Sequence, residues 1–164
     1  MGQQYQFLES FRIDDAVTLE ASLNGTIPAN LFNNVIFEKL ATVYLGTNVK
    51  AIGDNAFKNV KLVTSFAAPG VETLGLNAIT NPKLEVLELP ALTALGAGQI
   101  SGGNIKTLKL PAVAALHGSA FTGISGLADL YLGAQIPTIT DLPEDQKVMV
   151  LPNLTQQAQY QAMG

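Results

Sequence analysis

The chain has 164 residues, of which 48% are hydrophobic and only 13% charged, with a net charge of −4 and no cysteine. That balance excludes a disordered chain, and the length suits a single domain. The missing cysteines exclude disulfides, thiolate metal sites and cysteine nucleophiles, and the nine scattered Lys and Arg argue against a nucleic-acid partner, whose phosphates need a basic stripe.

In chain order, Met1 to Asp15 is Gln-rich and carries Glu9, Arg12, Asp14 and Asp15, so it does not read as a signal peptide. Val17-Thr-Leu19, Ile27-Pro28 and Leu31-Phe32 then suggest a degenerate first coil, which makes residues 1–39 an N-terminal cap. From Leu40 a unit recurs. Leu40-Ala-Thr-Val43-Tyr-Leu45-Gly46 is followed by Val49, Ile52-Gly53 and Ala56-Phe57. Val63-Thr-Ser-Phe66-Ala-Ala68-Pro69 is followed by Val71, Leu74-Gly75 and Ala78-Ile79. Leu84-Glu-Val-Leu87-Glu-Leu89-Pro90 is followed by Leu92, Leu95-Gly96 and Gln99-Ile100. Ile105-Lys-Thr-Leu108-Lys-Leu110-Pro111 is followed by Val113, Leu116-His117 and Ala120-Phe121. A fifth unit opens at Leu127-Ala-Asp-Leu130-Tyr-Leu132-Gly133, with Ile136 and Ile139 after it. The first apolar residue of each unit recurs at spacings of 23, 21, 21 and 22.

This periodicity dictates the architecture. Leu-x-x-Leu-x-Leu forms a short strand with its last two apolar residues on one face. Pro or Gly then ends the strand. No single unit can bury its leucines alone, so the coils stack and share a core. Residues 40–139 are therefore expected to build a repeat solenoid of α/β type, with one curved parallel sheet, coils of 21–23 residues and an irregular or short-helical convex side. Lys147-Val-Met-Val-Leu-Pro152 reads as a last strand. Asn153 then caps a short helix over Leu154 to Ala162, so residues 140–164 are expected to close the array. The stretch from Leu110 to Ala128 is long and uncharged apart from His117, but Pro111, Gly118, Gly123 and Gly126 and the continuing repeat argue against a membrane span.

The units resemble the BspA-like leucine-rich repeat, whose coil runs Leu-x-x-Leu-x-Leu-Pro, then Val-x-x-Ile-Gly-x-x-Ala-Phe-x-x-Cys. Val49-Lys-Ala-Ile52-Gly53-Asp-Asn-Ala56-Phe57 and Leu108-Lys-Leu110-Pro111 carry the match most clearly, and the resemblance covers about residues 17–162. The Cys position is filled by Val60, Pro82 and Ile124, apolar replacements for a small buried hydrophobe. The resemblance implies an exported or cell-surface bacterial protein with no catalytic residues and no cofactor. It also implies an adhesin-like role, binding a host extracellular-matrix protein, a bacterial surface protein or a glycan.

Chemistry has few places to reside. His117 is the one candidate general base and occupies a turn slot held by Gly in other coils; no nucleophile motif accompanies it. Asp14-Asp15 and the run Asp141, Glu144 and Asp145 lack the alternating spacing of a calcium loop. Gly102-Gly103-Asn104 is a turn, since no Lys-Ser/Thr follows it. The exposed strand face is more informative. Its outward positions form three columns: Ala41, Thr64, Glu85, Lys106, Ala128; Thr42, Ser65, Val86, Thr107, Asp129; and Tyr44, Ala67, Glu88, Lys109, Tyr131. Of these, Tyr44, Thr64, Glu85, Glu88, Lys106, Thr107, Lys109, Asp129 and Tyr131 are the candidate contacts for a partner, because exposed Tyr and charge suit a docking surface. The other expectation is a structural spacer, with the charges serving only to solubilise the sheet and fix coil register.

Overall fold

The computed structural model of the chain describes residues 11–13, 18–21, 25–33, 40–58, 60–81, 83–135 and 137–141. These form a stack of short strands arranged in ladders, with no helix among the described residues. The front is a seven-stranded sheet in the order β1 (Phe11–Ile13), β2 (Thr18–Ala21), β4 (Thr42–Leu45), β6 (Ser65–Ala67), β9 (Val86–Glu88), β12 (Thr107–Leu110) and β14 (Asp129–Leu132). From β2 onward each pair is parallel, and β1 runs antiparallel on β2 at the edge. The edge strand β1 has no counterpart in the repeat and was not expected from the sequence.

Register follows the repeat. Thr42 pairs with Ser65, Ala67 with Glu88, Val86 with Thr107, and Thr107 with Asp129. Cross-coil hydrogen bonds join residues 23 apart (Thr64 to Ala41), 21 apart (Lys106 to Glu85) and 22 apart (Thr107 to Asp129). The alternation on each strand is as the pattern requires. Val43 and Leu45 are buried while Tyr44 between them is exposed, and Leu130 and Leu132 are buried around exposed Tyr131. Two apolar residues per strand, together with Leu40, Val63, Leu84 and Ile105 just before the strands, make one continuous core through the stack.

The convex side, expected to be irregular or short-helical, carries short strands among the described residues. After the front strand the chain turns into a second ladder, β3 (Gly25–Ile27), β5 (Val49–Ile52) and β7 (Thr73–Leu74), continued by β10 (Ala94–Leu95), β13 (Ala115–His117) and β15 (Thr138–Thr140). The Thr93 amide donates to the Glu72 carbonyl at 3.2 Å and joins the two halves of that ladder. A third ladder pairs β8 (Ile79–Thr80) with β11 (Ile100–Ser101), and Phe57 bridges to Ile79. The physical reason lies in the backbone hydrogen bonds: amides of these segments find carbonyl partners on the neighbouring coil, as Phe57 does on Ala78 and Asn81 on Ser101. The turn into the third ladder uses left-handed backbone at Asn30 (φ 61°), Asn55 (φ 54°), Asn77 (φ 51°) and Gly98 (φ 66°), in four successive coils. Asn is the side chain that tolerates this region best after Gly. The Asn77 amide nitrogen donates to the Asn55 side-chain oxygen at 3.3 Å, so the turn residues also stack.

The one buried polar side chain among the described residues, Asn81, is satisfied: it donates to the Val63 carbonyl and accepts from the Lys83 amide, both at 2.8 Å. Phe57 packs flat on Phe32 (4.9 Å between ring centres) and edge-on to Phe66 (5.1 Å), filling the early coils. The expected C-terminal strand and helix, and the acidic residues Asp14, Asp15, Glu144 and Asp145, lie outside the described residues.

Candidate binding surface

The candidate contacts lie on the strands of the front sheet or one position before them. The strand alternation turns Tyr44, Glu88, Lys109 and Tyr131 outward, and the cross-strand register aligns them: Tyr44 beside Ala67, Ala67 beside Glu88, Glu88 beside Lys109, Lys109 beside Tyr131. Tyr44 is 46% exposed and Tyr131 40%. Four inter-strand steps separate them, about 19 Å at the usual spacing, so one small ligand does not bridge both rings. Thr64, Glu85 and Lys106 lie one position before the strands and are exposed, as is Asp129 at the start of β14. Thr107 and Lys109 are half-buried by their neighbours.

The charges are ordered by strand. Glu85 precedes β9 and Glu88 ends it, while Lys106 precedes β12 and Lys109 lies within it. Lys106 reaches Glu85 and Lys109 reaches Glu88, each at 3.3 Å. The side chains of both pairs are 42–62% exposed, where such contacts contribute little. On the far side of β12, the Thr107 hydroxyl donates to Asp129 at 3.4 Å. The face therefore reads carboxylate, ammonium, carboxylate across three adjacent strands. Val86 sits in the middle of the acidic strand, 51% exposed. It belongs to the second column, but its apolar exposure at the centre of the face was not singled out from the sequence; a Val in an otherwise Thr/Ser column was the available signal.

Elsewhere the structure gathers little chemistry. His117 ends β13 in the turn slot. Its Nδ1 accepts the Ser119 amide at 3.0 Å, and its Nε2 lies 3.5 Å from an Asp141 carboxylate oxygen. Both ring nitrogens are thus occupied by a backbone donor and an acid, an arrangement of a turn rather than of a base aimed at a hydroxyl nucleophile. Among the described residues no three His, Asp or Glu gather as a metal site, and no helix is long and apolar enough to cross a membrane. The gap lined by Phe57, Val60, Val63, Phe66, Ile79 and Asn81 has no room for a water molecule.

No curated protein and no solved structure matches the chain. The family model described as BspA type leucine rich repeat region does, in six copies over residues 5–142. The sixth copy beyond the five regular units comes with a match that begins at residue 5, within the stretch read as a cap. That family serves in protein interaction or as a structural repeat and is generally without enzymatic activity. On the repeat, its register and that match, the chain belongs to the BspA-type leucine-rich-repeat family.

Proposed function

We propose that this chain is a non-enzymatic, adhesin-like module at a bacterial cell surface or outside the cell, docking a partner protein on the exposed face of its front sheet. What carries the reading is the column Tyr44, Ala67, Glu88, Lys109, Tyr131, held in register across five strands with both rings exposed. Rigid aromatic side chains on a fixed strand scaffold bind at low entropic cost. A host matrix protein, another protein of the bacterial surface or a glycan are the partners such a face suits.

The test is binding of the folded protein to arrayed matrix proteins, mucins and glycans at physiological salt. Tyr44→Ala and Tyr131→Ala are each expected to weaken a saturable interaction roughly tenfold or more. Full binding by the double variant would move the docking site off this face. A structural spacer is the second reading. It is favoured by the mutual pairing of Glu85 with Lys106 and Glu88 with Lys109, which neutralises the face from within. A blank across the array with the fold intact supports the spacer.

A further inference from the structure

The strand face is complementary to itself. We propose that its occupant is a second copy of this chain, docked face to face about a two-fold axis that runs parallel to the strands between β9 and β12. The proposal rests on the reading of this face as a docking surface and names the partner.

A two-fold axis along the strands keeps each outward column over itself and reverses the order of the coils. The acidic strand β9 then lies over the basic strand β12 of the second copy, and the reverse. Glu85 meets the second copy's Lys106, and Glu88 meets its Lys109. Each lysine already holds a carboxylate of its own chain at 3.3 Å, so docking closes rings of alternating charge in which every ammonium lies between two carboxylates. One coil further out, Ala67 lies opposite the second copy's Tyr131, a small residue under a large one. Ser65 lies opposite its Asp129, a hydroxyl donor under a carboxylate. The alternative two-fold axis, along the stack, would set Glu85 over Glu88 and Lys106 over Lys109, like charge on like. The order of charges therefore selects one arrangement, as an isologous interface requires.

The shape of the face permits it. A wide helical back is what bends a stack of coils and hollows its strand face. Here, among the described residues, the back is made of parallel ladders rather than helices, and these advance by about 4.8 Å per coil as the front does. Two such sheets can approach to the usual ~10 Å of face-to-face packing, where Tyr131 spans the gap. Copies displayed on two cells would be held together by this contact, a homophilic form of adhesion.

Sedimentation velocity across a concentration series tests the proposal. The unmodified chain is expected to dimerise, more strongly at low salt. Glu85→Lys with Glu88→Lys, and separately Lys106→Glu with Lys109→Glu, are each expected to weaken self-association roughly a hundredfold. An equimolar mixture of the two variants is expected to form a one-to-one heterodimer, since all-Lys then faces all-Glu. The fourfold swap, which keeps the pairs within each chain, is expected to dimerise like the original. A chain that stays monomeric at every concentration, or a dimer indifferent to both charge reversals, overturns the proposal. If such a monomer still binds an arrayed ligand and loses it with Tyr131→Ala, the docking face stands and only the second copy is wrong; a monomer with a blank array sinks both.

Discussion

A β-carbon at Gly70 would run into the Thr47 carbonyl, and one at Gly133 into the Pro111 carbonyl, in each case backbone of the preceding coil. Backbone cannot swing aside as a side chain can, so the coils would have to part. Gly70→Ala and Gly133→Ala are each expected to cost about 2 kcal/mol in urea unfolding. At Gly103 the nearest atom is the Ser125 hydroxyl oxygen at 3.7 Å, ordinary contact, so Gly103→Ala should change stability by under about 0.5 kcal/mol. Residue-level detail of this kind was only half legible. Gly133 stands where the pattern alternates Gly and Pro, so its role as a strand stop could be read, but the close approach that forbids any larger residue could not. The left-handed asparagines escaped notice for the same reason. Asn55 and Asn77 look like polar filler between Gly and Ala, and nothing local distinguishes a turn with positive φ from one without.

At the scale of the element, the front strands were legible because each carries buried residues that recur in register. The back strands were not. β7, β8, β10 and β11 are two residues long, below the length at which a hydrophobic period can be seen, and their pairing comes from the neighbouring coil rather than from their own composition. The edge strand β1 was missed because nothing in Phe11–Ile13 repeats. The Glu and Lys columns were legible in full. The pairs β9 presents to β12 are as expected, Glu85 with Lys106 and Glu88 with Lys109. A double-mutant cycle on either pair in a monomeric background should give a coupling of about 0.2–1 kcal/mol, shrinking as salt is added. A much larger coupling would mean that the pairs hold coil register rather than merely tolerate each other.

For the whole molecule, the repeat makes stability close to a sum over coils and their interfaces. Excising residues 84–104, one complete unit, joins Lys83 to Ile105, which occupies the same buried position as Leu84. The shortened chain is expected to fold with a strand-type circular dichroism spectrum. Its urea dependence should fall in proportion to the surface lost. A collapsed or unfolded product would show that the array is one indivisible cooperative unit. The overall architecture was legible because the first apolar residue of each unit kept one period. The partner was not, because a face that must stay soluble when alone and complementary when docked uses the same few residue types for both tasks.

The ladder hydrogen bonds all lie along the direction in which the coils stack. Tension applied along that direction pulls the bonds in line and opens them a coil at a time, as a zip opens, rather than shearing several strands at once. Each step would release about 7 nm of slack for a unit of 21 residues. The chain is therefore expected to lengthen gradually under load in a single-molecule pulling trace and to take up its slack again, coil by coil, when the load is released.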